Sequence, residues 1–150
     1  LIQAGLKITD RTNEGLHVLH IAARDDNLTV VKYLIKTYPM LIPETALNGW
    51  TAIHYAAAGG SVPVIETLIQ AGLKITDRIN KGLHILHIAA RLDNLTVVKY
   101  LIETHPMLIP ETDMNGWTAI HYAAASGSIP VIETLIQAGL KITDRTNKGW

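Results

Sequence analysis

The chain has 150 residues, with thirteen basic and thirteen acidic side chains that cancel, 48% hydrophobic content and no cysteine. A balanced charge supplies no overall field to draw in nucleic acid or an anionic membrane, and the missing thiols exclude disulfides and thiolate chemistry. No stretch offers the ~20 apolar residues of a membrane span, and the opening LIQAGLK recurs at 68–74 and 135–141, so it reads as part of the fold and not as a leader.

Taken in chain order, residues 18–24 form a short apolar run that the turn formers Asp25, Asp26 and Asn27 interrupt, with Asn27 placed to cap a second helix. Residues 28–37 carry Val30, Val31, Leu34 and Ile35 on one helical face, with Lys32 and Lys36 opposite. A helix over 52–58, a turn at Gly59-Gly60-Ser61 and a second helix over 62–71 come next. Pro63 sits in its first turn, where a missing N–H costs little, and Gly72 sits where a left-handed terminus wants glycine. Residues 73–81 alternate apolar and polar and end in Asn80-Lys81-Gly82, the pattern of a hairpin-like connection.

From there the chain repeats itself. Residues 68–134 copy residues 1–67 with ten differences, and a third copy begins before Trp150. Gly15, Gly49, Gly82, Gly116 and Gly149 stand 34, 33, 34 and 33 apart, and the first four open GLHVLHIAAR, GWTAIHYAAA, GLHILHIAAR and GWTAIHYAAA. A period near 33 means a stacked array and not a single closed core. Helices of seven to ten residues fall below the ~12 to 15 at which isolated helices become marginal in water, so neighbour packing must order them. The pairs Ala22-Ala23, Ala56-Ala57, Ala89-Ala90 and Ala123-Ala124 provide surfaces small enough for close approach.

The spacing G-x-T-x-I-H-x-A-A, then G-S, then V-I-x-x-L-I-x-x-G resembles the ankyrin repeat. Thr51-Ala52-Ile53-His54 and Thr118-Ala119-Ile120-His121 match its T-P-L-H with Ala for Pro; Gly60 and Gly127 match the glycine between helices, and Gly72 and Gly139 the one after the second helix. In the looser units His17 and His84 replace the Thr, Val18 and Ile85 the Pro, Asp26 and Asp93 the inter-helix Gly, and Tyr38 and His105 the later one, with an extra residue after Pro39 or Pro106. Departures shared by both copies favour duplication of a natural unit over a designed consensus. The resemblance implies an all-α solenoid of stacked helix-turn-helix units with projecting β-hairpin loops and a concave groove. As one array over 1–150 it divides into the end of a preceding repeat (1–12), repeats at 13–47, 48–79, 80–114 and 115–146, and the start of another (147–150). Residues 1–4 would be the tail of a preceding outer helix. The last complete helix, 129–138, is as apolar as internal ones, so the chain is expected to be a segment of a longer array, with end-to-end self-association as a corollary.

In such arrays the groove is lined by the residue after the leading glycine, here Leu16, Trp50, Leu83, Trp117 and Trp150; by the preceding hairpin residues Leu47, Asn48, Met114 and Asn115; and by the pair after Ala-Ala, namely Arg24, Asp25, Arg91, Leu92, Ala58, Gly59, Ala125 and Ser126. Trp and Met bury much area for little entropy; equally, the tryptophans serve as structure packed on the next hairpin. His17 with His20, and His84 with His87, have the i, i+3 spacing of a two-ligand clip, but zinc needs three or four ligands. A structural role, with His20, His54, His87 and His121 bonding adjoining backbone, is expected, and no metal or cofactor. The serines Ser61, Ser126 and Ser128 lie in turns without G-x-S-x-G context, so no enzyme is expected. Two functions remain: a protein-binding groove, without nucleic acid or membrane insertion, or a spacer within a large toxin, effector or channel cytoplasmic region. A cytoplasmic location is expected, with a secreted effector or toxin as the alternative.

Overall fold

The computed structural model describes residues 7–146. The expected helix tail at 1–4 and the start of a further repeat at 147–150, with Trp150, lie outside the described residues. The chain divides into two compact units, 1–74 and 75–150.

The first unit holds α1 (Val18–Arg24), α2 (Leu28–Thr37), α3 (Ala52–Gly59) and α4 (Val62–Gln70); the second holds α5 (Ile85–Arg91), α6 (Leu95–Thr104), α7 (Ala119–Ser126) and α8 (Ile129–Gln137). The four helices of the first unit begin and end where the side-chain pattern predicts, or within one residue of it. Within each unit the inner helices pack on each other, α1 on α3 and α5 on α7, and each carries its outer partner behind it. Ala23, Ala56, Ala57, Ala90 and Ala123 are completely buried, as the close approach of short helices requires. Gly59 shows how close that is: a Cβ there would stand 2.1 Å from the carbonyl oxygen of Arg24.

Local chemistry explains the helix ends. Gly60 and Gly127 take the left-handed conformation at the C-caps of α3 and α7 (φ +83° and +80°). At the corresponding place after α1 and α5 stand Asp26 and Asp93, non-glycine residues with φ +57° and +60°. The strain is offset across the unit, because the Ser61 hydroxyl donates to Asp26 Oδ1 at 2.5 Å while also capping the amide of Val64. Ser128 repeats this with Asp93 and Val131. Asn27 does occupy the N-cap of α2, but its side chain makes no capping bond. After α2 and α6, where no glycine ends the helix, the extra residue is absorbed in three-residue 3-10 turns, Pro39–Leu41 and Pro106–Leu108, that bury Leu41 and Leu108.

The projecting loops are hydrogen-bonded turns; among the described residues no strand is present. In the first unit Thr12 N–H bonds Leu16 O (2.8 Å) and Ala46 N–H bonds Trp50 O (2.9 Å). In the second, Ile79 N–H bonds Leu83 O (2.8 Å) and Asp113 N–H bonds Trp117 O (2.9 Å). Consecutive turns within a unit are tied by one arginine. Arg11 Nη1 donates to Gly15 O (2.6 Å) and Thr45 O (2.8 Å), and Arg78 Nη1 to Gly82 O (2.6 Å) and Thr112 O (2.7 Å). The same side chains approach Glu44 and Glu111 at 3.7 and 3.6 Å. No described helix is long and apolar enough to cross a membrane.

Candidate functional site

The histidines belong to the scaffold. His54 and His121 hold the third position of capping boxes in which Nδ1 accepts the N–H of Thr51 (3.1 Å) or Thr118 (3.0 Å). In α1 and α5 the cap is itself a histidine. His17 N–H donates to His20 Nδ1 (3.2 Å), and His20 Nε2 reaches Glu44 O (3.0 Å); His84 and His87 repeat this, ending on Glu111 O (3.0 Å). Because Nδ1 accepts, the proton lies on Nε2, which donates to the carbonyl. His121 likewise reaches Asp144 O (3.1 Å). The paired rings are stacked, with centroids 3.7 and 3.9 Å apart, and His17 Nε2 and His84 Nε2 are buried without a hydrogen-bond partner. Burial holds all four imidazoles neutral: His17 below its ordinary pKa, His20 at about 4, His84 at about 3 and His87 at about 4, with the neighbouring histidine or arginine charge acting in the same direction. Their other ring nitrogens serve backbone groups, and no cluster of three or more metal-binding side chains occurs among the described residues.

The residues expected at the groove fall into three environments. Leu16 and Leu83 are core, 4% and 7% exposed, so they contribute to a groove only as its floor. Trp50 and Trp117 are half-buried, each packed on a tyrosine of the helix that follows it with ring centroids 5.0 Å apart, Tyr55 and Tyr122. Leu47 and Met114 at the turn tips are 79% and 73% exposed. Arg24, Asp25, Arg91 and Leu92 are exposed at the ends of α1 and α5, where Arg24 pairs with Asp25 at 3.1 Å.

In the second unit Leu83, Arg91 and Trp117 come together in a cleft of about 300 Å³, with Lys81, Asp113, Asn115, Tyr122 and Ala125 completing its wall. Asp113 is buried, with 6% of its surface exposed. Its Oδ1 accepts the N–H groups of Asn115 (2.8 Å) and Trp117 (2.9 Å), and its Oδ2 accepts the Tyr122 hydroxyl. Desolvation favours the neutral acid, but these three donors outweigh it and hold the carboxyl below its usual range, while burial and the same carboxylate push the Tyr122 phenol up. In the first unit Ala46 replaces Asp113, and Asn48 Oδ1 takes over, accepting from Trp50 N–H at 3.0 Å and Tyr55 hydroxyl at 3.5 Å. Lys81, Asp113 and Tyr122 were not among the residues expected there. A signal for the first two was present: both are positions at which the copies differ, Glu14 against Lys81 and Ala46 against Asp113.

Paired short helices recurring with a hydrogen-bonded turn between pairs define a helical repeat protein. The family described as Ankyrin repeats (3 copies) matches residues 1–79 and 74–146, and the chain belongs to the ankyrin repeat family. It is similar to alpha-latrotoxin-Lh1a of Latrodectus hasselti, 33% identical over 127 residues, which is 82% of this chain and 9% of the toxin. It is 29% identical to human transient receptor potential cation channel subfamily A member 1 over 145 residues, 94% of this chain and 13% of the channel. The mouse nuclear factor NF-kappa-B p105 subunit is 30% identical over 141 residues, 92% of this chain and 14% of that protein. The chain thus spans about a tenth of the length of the relatives it matches. A palmitoyltransferase, AKR1 of Lachancea kluyveri, is also similar, at 32% over 138 residues. Toxin, channel, nuclear factor and transferase share the repeat, so neither an activity nor a compartment follows from it.

Proposed function

We propose that the chain is a non-catalytic protein-binding module and that in each unit the turn tips and inner-helix ends present a groove to a partner. The observation that carries this is the pairing, in each unit, of a highly exposed apolar side chain, Leu47 or Met114, with a half-buried tryptophan, Trp50 or Trp117. None of the four is fully buried in the core, and large apolar groups left in water beside an aromatic platform are what interface centres are made of. Ankyrin repeats are generally protein-interaction modules, which agrees. Panning a random peptide display library on the chain should yield ligands whose binding falls at least tenfold in Trp50→Ala with Trp117→Ala while the melting temperature of that variant stays within a few degrees. Ligands indifferent to both tryptophans would remove the groove from consideration.

A spacer role within a much longer repeat protein is the second reading, favoured by the small fraction of its relatives' length that the chain spans. It predicts that the tryptophan substitutions alter stability alone.

A further inference from the structure

Resting on the groove reading, we propose that the cleft of the second unit takes an extended acidic segment of a protein partner, whose Asp or Glu carboxylate engages Lys81 and Arg91 while its apolar atoms lie on Trp117. Lys81 and Arg91 both line the cleft and are exposed. Among the described residues Arg11–Glu44, Arg24–Asp25 and Arg78–Glu111 form side-chain ion pairs, and neither cleft cation takes part in one. The one carboxylate in the wall, Asp113, is already committed to two backbone N–H groups and the Tyr122 hydroxyl, so it is not a partner for either.

The first unit supplies the control. Where it has Glu14, Asp25 and Ala46, the second has Lys81, Leu92 and Asp113, changes of +2, +1 and −1 in or beside the cleft that leave it two units more positive; Lys36→Glu103 changes −2 elsewhere, so the two 67-residue copies have equal net charge. Positive charge has therefore been moved to the cleft without altering the total, and Arg91 has lost the carboxylate that Arg24 keeps at 3.1 Å. Lys81 is also pinned in place. It holds a left-handed backbone, φ +69°, that side chains other than glycine rarely adopt, and its carbonyl accepts the Met114 N–H at 2.9 Å. Two cations beside an indole face, one of them on a fixed backbone, match a carboxylate followed by an apolar side chain. With no net field to steer an anion, attraction is local and falls with salt.

The test is fluorescence anisotropy on the 150-residue chain with a fluorescein-labelled peptide alternating Glu and Leu over six residues, its Gln-for-Glu isostere, and a labelled oligothymidylate. The Glu peptide should bind at least tenfold more tightly than the isostere, weaken as NaCl rises from 50 to 500 mM, and lose at least tenfold in Lys81→Glu with Leu92→Asp. That double variant restores side chains the first unit already accommodates, and an unchanged melting temperature confirms its fold. Equal binding of the isostere, an unaffected double variant, absence of Glu-peptide binding, or tighter binding of oligothymidylate would each overturn the assignment. Panned ligands that need Trp50 and Trp117 but carry no acidic residue would leave the groove standing and remove only the carboxylate.

Discussion

The two units are one backbone plan with different wiring. Both tie their turns with an arginine, both bridge their helix hairpins with an Asp–Ser pair, and both cap an inner helix with a stacked histidine pair. Of the ten positions at which the copies differ, five lie in the second unit's cleft or one residue from it: Lys81, Leu92, Asp113, Met114 and Ser126. Most of the differences leave the helix interfaces alone; Val18 against the buried Ile85, and Gly59 against Ser126, do not. The teaching is that packing positions vary less than surface positions in a repeat, because similar hairpins must fit similar neighbours while their exposed ends need not agree.

The features shared by both units should break first, under acid. His20, His84 and His87 are held to about 4, 3 and 4 when folded, against about 6.5 unfolded. Below pH 6.5 the unfolded chain takes up protons that the folded one refuses. Each such histidine should therefore lower the folding constant about tenfold per pH unit between roughly 6.5 and 4, with full stability above that window. Urea melts at pH 7.5, 6, 5 and 4.5 measure this, and His17→Thr with His84→Thr, which installs the cap used in the other two repeats, should flatten the profile. A pH-independent midpoint would mean that the imidazoles are not buried as described.

Next in size is a contrast between equivalent alanines. Ala57 is fully buried whereas Ala124 is exposed, so Ala57→Leu should cost about 1–3 kcal/mol by overpacking and Ala124→Leu less than about 0.5 kcal/mol, both read from denaturation midpoints. Removing the bridge, Asp26→Ala or Asp93→Ala, should cost about 1–2 kcal/mol, since the left-handed backbone stays strained while its offsetting hydrogen bond is lost; equal losses at the two sites are expected. The smallest effect separates the units again. Gly59→Ser must move the Arg24 carbonyl, yet Ser126 occupies the same place in the second unit and bonds Ala90 O at 3.2 Å, so Gly59→Ser should cost about 1 kcal/mol and Ser126→Gly less than about half of that.

Much of this was legible in the residues. The bounds of α1 and α2, the glycines at Gly60 and Gly72 and Pro63 in a first turn all come from side-chain patterning over a few residues, whereas the backbone role of the histidines came from the resemblance to the repeat family. The expected groove lining was legible only as a set of repeat positions. Leu16 and Leu83 are buried, because a residue next to an exposed turn is not itself turned outward by sequence adjacency. Lys81 and Asp113 were hidden from a pattern of shared positions, because only the differences between the copies mark them.

By itself the amino-acid sequence determined the period, the helix hairpins and the small residues at their interfaces, because capping, helical periodicity and glycine conformation act within about one turn of chain. Tertiary structure alone decided that Arg11 and Arg78 bond carbonyls 34 residues away, that Asp26 and Asp93 are bridged and not merely deviant, that the hairpins are turns without strands among the described residues, and that one unit opens a cleft with two cations outside any described ion pair. Those depend on which distant groups arrive at the same place, and hydrogen bonds and charge pairs are decided by distances that only the packed chain sets.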